Sequence, residues 1–256
     1  MRHLLTCCLL CCSVFSVTAA DSTVVVKKVR PMRVWASFGG VFGAHSADFF
    51  RSYKRYLGGP ASTFDVPYVI EGGVASYLWK NVSIGLAASY YKAVVRENYQ
   101  QYYPFGDTSS KNLLAISQNM SVTATPIIAT IDYYPTDRQF ATYVGAGLGI
   151  GISTILWKQG VYGSGVASET TPYSNTHIVP AGLLRAGISL GWDKERTTKV
   201  AGALTFEVRY TFMTVSAPLF KSMSDELPKA GSETRGDYHI QAGGLGLHVG
   251  VNVIVN

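Results

Sequence analysis

Residues 140–156 read FATYVGAGLGIGISTIL, and this stretch decides the fold class. Its even positions are mainly large and apolar, whereas its odd positions are mainly glycine, alanine or serine. Alternation with a period of two is typical of a β-strand, because successive side chains point to opposite faces. The stretch therefore predicts a strand with one apolar face and one face of small side chains.

The same alternation recurs along the chain and gives eight candidate strands. They are Met32–Gly43, Pro67–Trp79, Val82–Ala93, Ser121–Tyr134, Phe140–Leu156, Val179–Trp192, Val200–Val215 and Leu245–Val255. Short connections are predicted at 80–81, 135–139 and 193–199, and long polar loops at 45–66, 94–119, 158–178 and 217–236. Short turns at one end and long loops at the other are typical of an up-and-down barrel in an outer membrane.

Two other folds compete with this interpretation. Residues 140–157 carry no charge and space their glycines as membrane helix pairs do, so a transmembrane helix is one alternative. A water-soluble barrel with a greasy interior is the other. The period of two in several segments favours strands, and polar faces with few charges favour lipid outside. The sequence predicts an all-β fold, an eight-stranded antiparallel up-and-down transmembrane β-barrel.

Aromatic residues near the predicted strand ends support a membrane position. They are Trp79, Tyr133, Tyr134, Trp157 and Trp192. Amphipathic rings favour the two interfaces between lipid and water, so we expect these side chains to form interfacial belts.

The N-terminus has the pattern of a secretory signal peptide. Basic Arg2 precedes the apolar run 4–17, and small residues follow at 18–20. We expect residues 1–20 to be removed and residues 21–256 to form one barrel domain; a retained anchor or a lipoprotein is the alternative. The chain has 4 Cys, all within its first 12 residues, so the remainder excludes disulfide scaffolds and cysteine-based sites.

A formal net charge of +6 does not indicate nucleic-acid binding here, because the charge is scattered and no basic stripe is present. The one local cluster is Arg51, Lys54 and Arg55, which alternates with aromatic residues. We predict that it contacts anionic head groups while the neighbouring aromatic side chains rest on the interface; a solvated loop is the alternative.

Six charged residues are predicted to face the lumen. By strand parity they are Arg33, Glu71, Asp132, Arg185, Glu207 and Arg209. Side chains just fill the bore of eight strands, and charges buried there need partners. We expect Arg185 and Arg209 to pair with Glu71 and Glu207 near mid-height, and Arg33 to pair with Asp132 near the short-turn end. The preferred interpretation is a structural salt-bridge network; the alternative is an ion gate or narrow conduction path.

Residues Pro126–Tyr134, the turn 135–139 and Tyr143–Gly149 resemble the small eight-stranded outer-membrane barrel family (OmpA/OmpX/OmpW-like). The resemblance implies localisation in the outer membrane of a Gram-negative-type bacterium and insertion by the outer-membrane assembly machinery. The peptidoglycan-binding domain of some members is not expected, because the barrel would occupy the chain.

No catalytic motif stands out in the sequence. Ile150 replaces a glycine that a nucleotide fingerprint would need, and no two of the histidines beyond residue 20 have convincing metal-ligand spacing. Asp237 and His239 resemble part of an outer-membrane protease site, but its matching acidic pair is missing. We expect no enzyme activity, no cofactor and no metal.

The expected function is therefore a structural or surface-interaction role, with four long external loops around a filled lumen. The expected partners are outer-membrane lipids, lipopolysaccharide, the assembly machinery and an unidentified extracellular ligand, with no nucleic acid and a monomeric state. A narrow porin-like channel is the alternative, and an outer-membrane enzyme acting on lipid or peptide is the third candidate.

Overall fold

A computed structural model describes most of the chain beyond residue 30. The described residues are 31–42, 46–47, 49–51, 54, 60–65, 67–104, 111–135, 140–163, 166–169, 173–191, 200–217 and 238–255. The predicted signal peptide, Arg55, Trp192, Asp237 and the loop 217–236, apart from its first residue, lie outside them.

Eight long strands and two short ones make up the described part of the fold. The long strands are β1 (Met32–Phe42), β2 (Tyr68–Trp79), β3 (Val82–Pro104), β4 (Lys111–Tyr133), β5 (Phe140–Gly163), β7 (Tyr173–Gly191), β8 (Val200–Ala217) and β10 (Gly244–Val255). The short strands are β6 (Val166–Glu169), which pairs with β5, and β9 (Tyr238–Gln241), which pairs with β8.

The long strands close into a ring. Each pairs antiparallel with its neighbour along the chain, and β10 pairs with both β8 and β1. The closing register runs from Met32 opposite Val255 to Phe42 opposite Leu245. The predicted fold class is confirmed: this is an eight-stranded antiparallel up-and-down transmembrane β-barrel, and residues 140–157 form part of strand β5 rather than a helix.

No helix among the described residues is both long enough and apolar enough to cross a membrane.

The outer surface of the ring is apolar. Exposed outward side chains include Val34, Phe38, Ile70, Val74, Leu86, Ile131, Val144, Leu148, Leu184, Phe206, Val208, Val249 and Val251. Soluble monomers rarely expose an apolar area of this extent, and an outward apolar band is what a barrel presents to lipid. This arrangement excludes the water-soluble barrel, whose greasy face would point inwards.

Only some of the aromatic side chains that were expected at the interfaces lie at an edge of this band. Trp79 and Tyr133 are exposed near the short turns, as predicted. The expectation was wrong for Tyr134 and Trp157, which are buried on the lumen side. The alternation of β4, continued to Tyr134, and the parity of Trp157 in β5 turn the two side chains inwards, and this alternation outweighs an interfacial preference of the ring.

Two of the predicted long loops are largely strand. β3 continues to Pro104 and pairs with β4 back to Lys111, so most of 94–119 is a hairpin. Likewise, β5 extends to Gly163 and β7 begins at Tyr173, within the predicted loop 158–178. The sequence criterion was an apolar face, and in these extensions the outward face becomes polar while the backbone ladder continues. A strand that leaves lipid loses its hydropathy signal without losing its hydrogen bonds.

Candidate functional site

The six predicted lumen residues all lie inside the barrel. Each is at most 8% exposed, although all six side chains are ionisable. They come from β1, β2, β4, β7 and β8, and each points inwards because it occupies the lumen parity of its strand. Charged groups that are buried in this way must be paired to be tolerated.

Asp132 anchors the part of the lumen nearest the short turns. Arg185 donates to it twice, from Nε to Oδ1 at 2.8 Å and from Nη2 to Oδ2 at 2.9 Å. Arg33 donates to Oδ2, as predicted, and the Ser83 hydroxyl donates to the same atom at 3.4 Å. The carboxylate therefore carries two guanidinium partners and one hydroxyl.

Arg209 joins the two glutamates. Its Nη1 donates to Glu71 Oε2 at 2.5 Å, its Nη2 to Glu71 Oε1 at 2.9 Å, and its Nε to Glu207 Oε1 at 2.7 Å. Trp35 Nε1 donates to Glu71 Oε1 at 3.1 Å, and the Tyr143 hydroxyl donates to Glu207 Oε2 at 2.8 Å. Both carboxylates are thus held by a charged and a neutral donor.

Arg185 connects the group around Asp132 with the group around Arg209, which the sequence analysis treated as separate. Its Nη1 lies 3.7 Å from Glu71 Oε1 and 3.7 Å from Glu207 Oε2, while its other nitrogens bind Asp132. Both expected groups are present, the pairing of Arg185 and Arg209 with Glu71 and Glu207 and the Arg33–Asp132 pair, but the expectation that they are separate is wrong. All six residues form one lumen charge network, in which the formal charges of the three arginines and three carboxylates cancel.

The register of the sheet explains this connection. One row of opposed residues crosses the sheet from β3 to β10, and its members are Ser83, Asp132, Gly145, Arg185, Arg209 and Gly246. Gly145 stands between Asp132 and Arg185, so no side chain separates the ion pair. A Cβ at Gly145 would lie 3.2 Å from Arg185 Cγ, 3.1 Å from Ile131 O, and closer still to Asp132 Oδ1.

Three neutral residues of the network were not singled out from the sequence. Trp35 also lies under two guanidinium groups, with its ring centre 4.6 Å from Arg33 Cζ and 5.3 Å from Arg185 Cζ. Tyr143 and Ser83 complete the carboxylate shells. Strand parity could have identified two of them. Trp35 lies two residues after Arg33 and Tyr143 lies two residues before Gly145, so each shares the lumen face of its strand.

Little space remains at the level of the network. A cavity of about 10 Å³ lies beside Trp35, Tyr143, Arg185, Glu207 and His248. A single water molecule needs about 10–15 Å³, so this cavity is too small for an aqueous column.

An apolar plug fills the other end of the barrel. It consists of Phe49, Phe50 and Phe64, from the chain between β1 and β2, and the first two are 0% and 3% exposed. The Phe50 N–H donates to Ser46 O at 2.9 Å in a helical turn, and Phe64 stacks on Phe49 with ring centres 6.2 Å apart. Inward residues of the strands enclose the plug, among them Val41, Val69, Tyr91, Val122, Ile155, Trp157, Met213, Val215 and Ile240.

The plug corrects one prediction about the basic cluster. Arg51 and Lys54 are exposed, but the adjacent Phe49 and Phe50 pack inside the barrel rather than resting on a lipid interface. Burial of two phenylalanine side chains is worth several kcal/mol, so this contact determines the position of the segment.

The described residues offer no second chemical site of the kinds considered. No group of three or more His, Asp or Glu side chains among them could hold a metal ion. His239 is exposed on β9, and its possible partner Asp237 lies outside the described residues.

Comparisons with known proteins find likenesses among solved structures only. No protein-family model matches the sequence, and no curated protein matches it significantly. Solved structures to which the chain is similar include the outer membrane protein OprG of Pseudomonas aeruginosa, at 11% identity and a TM-score of 0.42 over 90% of this chain and 97% of that one. The N-terminal β-barrel domain of P. aeruginosa OprF gives 12% identity and a TM-score of 0.36, over 88% of this chain and 97% of that one.

Neisserial surface protein A is also similar, with 11% identity and a TM-score of 0.33 over 88% of this chain and 95% of that one. The chain is a small eight-stranded transmembrane β-barrel. The assignment rests on its own closed ring and apolar exterior, and the predicted resemblance is confirmed at the level of the fold.

Proposed function

We propose that this protein is a sealed outer-membrane barrel with a structural and surface-interaction role. The observation that carries the proposal is the lumen, which is filled at two levels by different chemistry. The lumen charge network occupies one level, and the apolar plug with its enclosing side chains occupies the other. Eight strands leave a bore that side chains just fill, whereas aqueous porins use 16–18 strands.

The two levels would have to open together for ions to pass. Ions crossing the network would need its paired side chains to part, and ions crossing the plug would need water in an apolar constriction, which favours the dry state. The channel alternative therefore needs two rearrangements in series, and this argument favours the sealed barrel.

Single-channel recording in planar bilayers tests the proposal. We expect no steady conductance from the purified wild-type barrel, and none from Phe49→Ala/Phe50→Ala or Arg185→Ala, because each leaves one level in place. Combining all three substitutions should produce conductance. A steady wild-type current would replace the sealed barrel by the channel alternative.

The proposed orientation places the apolar plug at the outer surface, because long connections of such barrels face outwards and short turns face the periplasm. Lys54 and Lys80 are both exposed, one beside the plug and the other in the short turn after β2. We expect a membrane-impermeant maleimide to label Lys54→Cys on intact cells but to label Lys80→Cys only after lysis. The reverse pattern would invert the barrel.

The proposal extends to partners. We also propose insertion by the outer-membrane assembly machinery, which the closed apolar ring supports, and a monomeric state, which the closure of the ring within one chain supports. Contact with lipopolysaccharide or an extracellular ligand would use the part of the molecule that stands above the lipid.

A further inference from the structure

The wall formed by β3, β4 and β5 stands higher than the opposite side of the barrel. β2 ends its pairing with β3 at Tyr68 opposite Lys92, whereas β3 continues with β4 to Pro104. On the outer face of this wall, side chains change from apolar to polar in the same region. The wall therefore passes from the lipid band into the zone of the lipid head groups.

Three cations lie on this outer face just beyond the apolar band. Arg96 is opposite Asn119, which is opposite Lys158. The side chains of Arg96, Asn119 and Lys158 are exposed, and that of Lys92 is half-buried. Lys92 lies four residues before Arg96 on β3, and its row continues through Thr123. Strand spacing of about 4.8 Å and a rise of about 3.4 Å per residue place the cations roughly 10–16 Å apart.

Their position matches the boundary of the band. On β3 the ring centre of the outward Tyr90 lies 6.4 Å from that of Tyr68, and Lys92 is the next outward residue. On β5, Leu156 is the last outward apolar residue and Lys158 follows it. Long basic side chains at such a boundary keep their stems on apolar surface and extend their charge towards head groups.

The three wall strands β3, β4 and β5 themselves carry no acidic residue on this face. Over the described outward positions of β3, β4 and β5, the sequence contains no Asp or Glu, and hydroxyl and amide side chains fill the space between the cations. Glu97 follows Arg96 at an inward position of β3, and Glu169 of β6 lies opposite Gly160, close to Lys158 in register. Asp65 also approaches the wall, since its N–H donates to Val94 O at 2.9 Å. No ion pair joins it to a cation of the wall among the described residues.

We propose that Lys92, Arg96 and Lys158 bind the phosphate groups of an anionic glycolipid of the outer leaflet. Arg96 offers a planar fork that matches phosphate geometry, the two lysines supply point charges, and Asn119 adds a neutral donor between Arg96 and Lys158. The inference rests on the proposed outer-membrane position, and it places lipid contact on the strand wall rather than at Arg51 and Lys54.

Bound lipid can be measured by native mass spectrometry of the barrel taken from phosphatidylcholine nanodiscs that contain bisphosphorylated lipid A or its dephosphorylated form. The test variant is Lys92→Ser/Arg96→Ser/Lys158→Ser, and the matched control Lys92→Arg/Arg96→Lys/Lys158→Arg keeps the charge. Arg51→Ser/Lys54→Ser tests the competing site. The difference in mobility between boiled and unboiled protein shows separately whether each variant folds in the membrane.

We expect wild type to prefer bisphosphorylated lipid A, with an affinity that falls as salt rises. The serine variant should bind about 100-fold more weakly, since each contact near an anionic surface is worth about fivefold, while the charge-keeping variant stays close to wild type. Unchanged binding by the serine variant, loss only in Arg51→Ser/Lys54→Ser, or equal binding of the dephosphorylated lipid would overturn the inference. A barrel that never folds in the membrane would instead refute the proposed function.

Discussion

Replacing Arg185 with alanine is expected to lower the free energy of unfolding by about 3–5 kcal/mol, the range for breaking a buried ion pair from one side. Arg185 binds Asp132 at 2.8 Å and lies 3.7 Å from both Glu71 and Glu207. Its loss leaves three buried carboxylates with two guanidinium partners. Urea unfolding in lipid vesicles, followed by tryptophan fluorescence, measures the change.

A double replacement checks that the cost comes from unpaired charge. Glu207→Ala combined with Arg209→Ala removes one charge of each sign and should cost less than the sum of the single replacements. Additive costs, or an Arg185→Ala barrel as stable as wild type, would show that the network is not held together by charge pairing.

The second large effect is expected at a glycine. Gly145→Val should cost about 1–3 kcal/mol from overpacking alone, and more because it separates Asp132 from Arg185. The new Cβ would meet Asp132 Oδ1 and lie 3.2 Å from Arg185 Cγ, so both partners of the ion pair would have to move. The fraction of folded barrel on an unboiled gel and the urea midpoint report this loss.

The neighbouring residue provides the control. Ala146 has the opposite parity and lies on the outer surface, so Ala146→Val adds the same side chain towards lipid. Its effect should stay within about 0.5 kcal/mol, as is usual for surface positions. Equal stability of the two valine variants would mean that Gly145 does not hold the space for the ion pair.

The network shows how far sequence periodicity reaches. Parity alone placed Arg33, Glu71 and Asp132 inside the barrel, because a period of two fixes the face of every residue once one apolar face is known. It could not assign Arg185 to Asp132, because that contact depends on the register of β4, β5 and β7 relative to one another. Register is set by turns and by side-chain fit across strands, which no single segment contains.

The apolar plug and the strand extensions were missed for different reasons. Phe49 and Phe50 occur in a polar, irregular stretch, where periodicity gives no direction for a side chain. The extension of β3 beyond Ala93 carries polar residues outwards, so its hydropathy resembled that of a loop. Sequence patterning located the lipid band well because the band itself creates the pattern, and it failed where another environment replaced lipid.

The height of the β3 wall has a consequence for how the chain can vary. With the proposed lipid contact at Lys92, a single strand passes through three solvents: hydrocarbon around Leu86, head groups around Lys92, and water around Asn98. Each solvent selects outward residues by a different criterion, namely apolar area, positive charge and simple polarity. Tolerance to substitution should therefore change stepwise along one continuous hydrogen-bonded ladder, without any change in backbone structure to mark the steps.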